Sequence, residues 1–346
     1  MSGRRFNAST LSAFAARVLR AAGANPASAD GCVRALMHAS RLGVDSHGIR
    51  LLTFYVNCLR SGMVKGDPVV SEKVLRQAAG QVDAGGGLAH APTFRAVDMA
   101  CDLAARAGIG LVGVVHSTHF GAAGAYALAA AERGYHSLVV CNSGPFVVPF
   151  DAAKALHGTN PIAYAAPAGE GREPFLLDMA TSSIPWNRLL LARTLGADLP
   201  PDVAVDTNGN YTTDAVAGQM LAPLGGSGYG YKGAGLAGMI EIMSAALTGM
   251  HFGFERDPTA VCDVELGQIV IAIDPGLFGD PATAARRVAG YIEVVQSLSG
   301  NGRTVQAAGG PQWRNKADRD ANGIPIPDAL HDELKQLARA LGVAEL

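Results

Sequence analysis

The sequence predicts an α/β fold with a helical lobe drawn from both ends of the chain. Three observations predict it. Residues 109–115, rich in β-branched types, precede a helical stretch (121–133), a stop at Gly134 and a second apolar strand (135–141), which is strand–helix–strand order. Apolar residues recur at helical spacing near the start, at Leu11, Phe14, Ala15, Val18 and Leu19, and helical patterning returns over 328–341. Apolar residues make up 49% of the 346 and charged residues only 17%, which supplies a sizeable core and argues against disorder.

In chain order, Ser9 is placed to cap the first helix and Ser28 a second over 28–38, with Val33, Leu36 and Met37 inward. A glycine-punctuated break, Ser40-Arg-Leu-Gly-Val-Asp-Ser-His-Gly48, comes before a third helix over 50–59. Val69-Val70, 73–77 and 81–83 read as short strands, and 91–107 as a helix stopped by Gly108. Beyond the strand–helix–strand unit, strands are expected at 162–165, 175–178 and 268–274. Leu224 to Gly233 reads as a glycine-dense loop leading into a helix over 236–247, and 282–298 as a further helix.

Bulk charge and cysteine usage exclude several classes. The net charge is -2 and no basic run occurs, so neither nucleic acid nor an anionic membrane surface is an expected partner. The five cysteines are scattered without a Cys-x-x-Cys pair, which points to free thiols rather than structural zinc or a disulfide framework. No apolar run has the length of a membrane span or the character of a signal peptide. A cytoplasmic protein is the expectation.

The chemistry-bearing segments are short and each has a plain alternative. Asp45-Ser46-His47-Gly48 offers an imidazole that titrates near neutrality beside a hydroxyl, suited to moving a proton on an alcohol or carbonyl. The same residues read equally well as a helix-cap box. His119-Phe120-Gly121 sits where a strand meets a helix start, a place that favours an anionic group, or a histidine satisfied by backbone. Thr159-Asn160, between Gly158 and Pro161, presents two polar groups or simply a turn. Lys232 is a cation for a phosphate or a solvated lysine. His116-x-x-His119 is the nearest approach to a metal pair, without an evident third ligand; a metal-dependent hydrolase would need one. No Gly-x-Gly-x-x-Gly opens a βαβ unit, and Lys232 is followed by Gly233 rather than Ser or Thr, so neither a Rossmann loop nor a P-loop is present.

Taken in order, Val-Asp-Ser-His-Gly, His-Phe-Gly, Leu-His-Gly-Thr-Asn-Pro, Leu-Asp-Met-Ala-Thr-Ser, Asp-x-x-Gly-x-x-Thr-Thr-Asp and Pro-Leu-Gly-Gly…Lys-Gly resemble the malate/L-lactate dehydrogenase type 2 family. That family includes sulfolactate and ureidoglycolate dehydrogenases, diketogulonate reductase and reductases of piperideine- and pyrroline-2-carboxylate. The resemblance runs from about Ser40 to Gly249 and implies a non-Rossmann NAD(P)-binding fold, NAD or NADP as cofactor, a small carboxylic acid as substrate, and a homodimer or higher homo-oligomer with active sites near the subunit interface. It implies three regions: 1–75 packed with 297–346, 76–118 with 250–296 as a central mixed sheet, and 119–249 as the NAD(P)-binding domain.

The resemblance also assigns roles. His47 becomes the proton-transfer residue with Ser46 beside it, His119 lies near nicotinamide and substrate, and Thr159 lies at the substrate end. Asn160 and the run Asp178, Met179, Ala180, Thr181 and Ser182 line the cofactor, and Lys232 approaches its phosphate. Two departures stand out. Many relatives carry a carboxylate-binding arginine where this chain has Leu51, with Arg50 one position before it. Imino-acid reductases carry an acid at the position of Arg188. Arg50 and Arg188 are therefore the candidate carboxylate ligands, and the expected reaction is hydride transfer at C2 of a 2-hydroxy or 2-oxo acid. Reduction of a cyclic imino acid is the near alternative, and a non-catalytic binding protein on the same fold the distant one.

Overall fold

The computed structural model describes residues 3–257, 260–300 and 302–346. The chain opens with β1 (Arg4–Phe6), α1 (Ala8–Ala21), α2 (Pro26–Leu42) and α3 (Leu52–Arg60). The helix caps are asparagines, not the serines expected: the Asn7 side chain accepts from the Thr10 N–H, and Asn25 accepts from the Ser28 N–H with Pro26 in the first turn. Each asparagine stands three residues before the amide it satisfies, one turn upstream of where apolar spacing alone would start the helix.

Next come β2 (Ser71–Arg76), β3 (Ala79–Asp83), α4 (His90–Ala107), β4 (Ile109–Ser117), α5 (Gly124–Glu132) and β5 (His136–Cys141). Val69-Val70 lies outside the strands. Then follow β6 (Ile162–Ala166), β7 (Phe175–Met179), α6 (Trp186–Leu195), the short strands β8 (Ala204–Val205), β9 (Tyr211–Thr212) and β10 (Met220–Leu221), and α7 (Gly226–Glu241). The segment read as a glycine-dense loop is thus mostly helix. Gly233 is there for close approach: a Cβ would lie 2.4 Å from the Leu224 backbone nitrogen. The chain finishes with β11 (Leu266–Ile273), α8 (Pro281–Ser297), α9 (Gly310–Asn322), β12 (Ile324–Ile326) and α10 (Asp328–Ala340).

The main sheet has seven strands in the order β2-β3-β4-β11-β5-β6-β7. Only β3 and β4 pair in parallel; β11 inserts between β4 and β5 and runs antiparallel to both. This mixed order is not the parallel sheet of a Rossmann fold. One consequence fixes the site. The carboxyl ends of β4, β5 and β7 and the amino ends of β6 and β11 all fall at one end of the sheet. The loops carrying His119, Asn142, Thr159 and Thr181 therefore meet there.

Chain ends meet in the helical lobe. β1 pairs antiparallel with β12, Arg4 opposite Ile326, and Leu11, Phe14, Val18, Leu36, Tyr55, Leu334 and Ala338 share one apolar core. A second core under the main sheet is built from α4, α5 and the inner faces of β4 and β11.

Cys58 and Cys262, expected as free thiols, are joined in a disulfide with their Cα atoms 5.6 Å apart. They lie 204 positions apart, so no local spacing announces the pair; α3 and the segment before β11 become neighbours only in the fold. Cys32, Cys101 and Cys141 are free and buried.

Candidate active site

His47 lies in a short 3-10 turn, Asp45–His47, ahead of a second, Ile49–Leu51, that leads into α3. Neither turn is capped by its own N-cap residue, Val44 or Gly48, so the capping alternative is not what Asp45 and Ser46 do. Asp45 instead binds Arg319 of α9 (Nη2 to Oδ2, 2.9 Å), and Arg319 also donates to the Ser40 carbonyl at 2.6 Å. Ser40 Oγ accepts from the Ile49 N–H at 2.8 Å. The turn is thus clamped from both sides, a rigid mount for the residues that follow. Ser46 Oγ is 2.8 Å from His47 Nδ1. Asn187 at the start of α6 reaches over and donates to the Ser46 carbonyl at 3.2 Å.

The His47 and His119 rings stack at 5.8 Å between centroids. His119 is further boxed by Phe54 edge-on at 5.7 Å and by Tyr55, whose hydroxyl lies 2.8 Å from its Nδ1. The Gly121 N–H also points at Nδ1, at 3.3 Å. A backbone N–H can only donate, so Nδ1 accepts, Nε2 carries the proton, and the Tyr55 O–H donates. Behind Tyr55, His90 packs edge-on at 4.5 Å, fully buried with neither ring nitrogen bonded. All three imidazoles are held neutral. Burial lowers His47 to about 4 and His90 to about 3. Burial also pulls His119 well below its usual value, helped by His47, His90 and the charge of Arg256.

Thr159 and Asn160 stand against the 179–183 turn. The Thr181 N–H donates to the Thr159 carbonyl at 2.9 Å, and Thr181 Oγ1 donates to the Asn160 carbonyl at 3.1 Å. Asn160 is buried with a positive φ of 34°; its Oδ1 accepts from the Ser143 N–H and its Nδ2 donates to Glu241 Oε1 at 3.0 Å. Glu241, also buried, accepts from Asn142 and from the Gly253 N–H. Asp178 approaches the first turn of α5: its carboxylate accepts from the Gly124 N–H, and a Cβ at Gly124 would lie 2.7 Å from Oδ2. Burial raises that carboxyl to about 6 despite the opposing amide bond. Met179 ends β7, and the Ser182 hydroxyl donates to the Ile184 carbonyl.

Other candidates lie apart from this cluster. Lys232 is exposed on α7 with its ammonium over the Tyr229 and Tyr231 rings, at 5.1 and 5.9 Å. Arg50 is exposed on its turn, and Arg188 is exposed on α6 next to Asn187. His116 pairs with Asp83 at 3.0 Å while His119 faces Tyr55, so the two histidines serve different partners. Among the described residues, no group of three His, Cys, Asp or Glu gathers as a metal site. Tyr55, Asn142, Asn187, Glu241 and Arg256 are the residues that motif reading did not find. Tyr55 alone carries a sequence signal: a tyrosine on an otherwise apolar helix stripe needs a hydrogen-bond partner inside.

The malate/L-lactate dehydrogenase family pattern matches residues 6–335 of this chain. The chain belongs to the malate/L-lactate dehydrogenase family. It is accordingly an oxidoreductase, and its sheet is the family's own fold. The (2R)-3-sulfolactate dehydrogenase (NADP(+)) of Chromohalobacter salexigens is 34% identical over 333 residues, 94% of this chain and 95% of that protein. The Delta(1)-pyrroline-2-carboxylate/Delta(1)-piperideine-2-carboxylate reductase of Pseudomonas putida is 35% identical over 320 residues, 89% and 90% of the two chains. The solved malate dehydrogenase of Pyrococcus horikoshii superposes with a TM-score of 0.90 at 30% identity, covering 99% of this chain and 97% of that one.

Proposed function

We propose that this dehydrogenase moves hydride between nicotinamide C4 of NAD or NADP and C2 of a small 2-hydroxy or 2-oxo acid. The observation that carries the reading is the stacked pair of neutral imidazoles, His47 and His119, at the end of the sheet where five strand termini converge. The cofactor supplies or accepts the hydride. The residues at this end suit it: Asn142 Oδ1 is buried without a partner, and backbone runs of 158–160 and 178–182 lie side by side. In this reading Asn160 and Asp178 to Ser182 line the cofactor, and Lys232 meets its phosphate from the exposed face of α7.

His47 handles the proton. Its Nδ1 is engaged by Ser46, which leaves Nε2 to take the hydroxyl proton in oxidation. A ring held near 4 is in the base form at neutral pH. In reduction the substrate's own negative charge draws a proton onto that ring, which then passes to the forming alkoxide. Ser46, Thr159 and the Nε2–H of His119 orient the oxygen at C2, and Arg50 or Arg188 is available to the carboxylate.

A panel of 2-oxo acids and cyclic imines, each with NADH and NADPH, tests the reading. Turnover of an oxo acid, lost by orders of magnitude in His47→Ala with cofactor fluorescence retained, supports it. Activity only on piperideine-2-carboxylate moves the substrate to the imines. Cofactor binding without turnover of any of them leaves a binding protein.

We also propose the three-region division set out above, a cytoplasmic location, and a homodimer. For the dimer, α8 supports the reading: it buries only Ala289, while Tyr291, Val294 and Leu298 are exposed at i, i+3 and i+7. Light scattering on the purified protein reads the mass.

A further inference from the structure

Arg256 is a buried cation with half of its guanidinium unused. Its side chain is 6% exposed, and Nη2 is held by Asp263. Nη1 is buried and has no hydrogen-bond partner. A buried guanidinium nitrogen left unpaired is costly, so a native structure keeps one where something else completes it. The chain makes room for this atom: a Cβ at Gly144 would lie 2.9 Å from Nη1, and Asp263 Oδ2 accepts from the Gly144 N–H at 3.5 Å.

What surrounds Nη1 belongs to the site. Gly144 follows Ser143, whose hydroxyl accepts from the Thr159 N–H at 3.2 Å and whose own N–H is held by Asn160. Arg256 is near enough to His119 for its charge to act on that ring. The neighbouring carboxylate does not consume the free nitrogen, because Glu241 is occupied by Asn142, Asn160 and Gly253. Burial pushes Arg256 down only to about 10, so it remains a cation at neutral pH.

We infer that Arg256 holds the carboxylate of the substrate through Nη1, in place of an arginine from the start of α3, where the chain has Leu51 and an exposed Arg50. This rests on the oxo-acid reading above and names the residue that reading left open. The disulfide gives the arrangement its frame. Cys262, next to Asp263, is tied to Cys58 of α3, the helix that also presents Phe54 and Tyr55 to His119.

The experiment compares wild type, Arg256→Gln, Arg256→Lys and Arg50→Gln on a 2-oxo acid and on its neutral amide. NADH affinity is read separately by fluorescence. Arg256→Gln should lower kcat/KM for the acid at least 100-fold, leave NADH binding within about twofold, and abolish the preference for acid over amide. Arg256→Lys keeps a cation beside Asp263, so it covers the case in which the glutamine variant does not fold; it should raise KM for the acid more than tenfold. Acid preference retained in both folded Arg256 variants, or lost instead in Arg50→Gln, overturns the assignment. If wild type turns over no oxo acid, the catalytic reading fails, and oxalate binding in the presence of NADH still decides Arg256: binding equal in wild type and Arg256→Lys overturns it.

Discussion

At the scale of single residues, the candidate site withholds charge. Three imidazoles packed within ring contact of each other or of Tyr55 are all kept neutral by burial, and the charge of Arg256 reinforces this at His119. Tyr55 does something finer. With the Gly121 N–H it gives His119 Nδ1 two donors, and donors to that nitrogen favour the neutral ring. Tyr55→Phe removes one of them. The His119 pKa should then rise, kcat should fall about tenfold, or ~1.4 kcal/mol, and the acidic limb of the pH–rate profile should move to higher pH. An unchanged profile would show that Tyr55 only fills space. His47 and His119 could be picked out in the sequence because each lies within two residues of a glycine at a break between elements. Arg256 and Glu241 could not, since their importance comes wholly from partners that are distant along the chain.

Among the elements, legibility follows the source of stability. α4, its Gly108 stop and strands β4, β5 and β11 were visible because they are held by apolar contacts, which leave a period in the sequence. α9 left none. It fully buries no residue and is fastened by Arg319 to Asp45, Asp318 to Arg5 and Asp320 to Arg41, pairs that no periodicity records. α7 was hidden by glycines that serve close packing, not flexibility. The link between α3 and the Arg256 segment was equally invisible. In the chain-entropy account a disulfide closing a loop of this length removes about 5 kcal/mol of freedom from the unfolded chain. Wild type should therefore lose several kcal/mol of stability in reductant, and Cys58→Ser should start lower and not respond. The check is a guanidinium melt with and without dithiothreitol. An identical midpoint in both wild-type melts would mean that Cys58 and Cys262 are not bonded in solution.

For the molecule as a whole, four desolvated histidines, His38 and the three of the candidate site, set how folding responds to acid. His38, His47 and His90 sit at about 4, 4 and 3 in the fold, against an ordinary value of 6.5. Between those limits the unfolded chain takes up protons that the folded one refuses, so stability is complete above pH 6.5 and drains away as the pH falls. Asp178 opposes them. Its folded value is raised from 3.8 to about 6, so its contribution is present at low pH and is lost as the pH rises through 6. His119 also lies well below 6.5, so four imidazoles outweigh one carboxyl, leaving a net uptake on the order of three protons on unfolding near pH 5. The melting temperature should fall steadily from pH 7 to pH 5. His90→Phe, which removes a strongly depressed ring from behind Tyr55, should flatten that slope by about one proton. Asp178→Asn should steepen it. Thermal melts at half-unit pH steps read all three, and a wild-type melting temperature that holds or climbs towards pH 5 would show that these imidazoles are hydrated in solution and able to charge inside the fold.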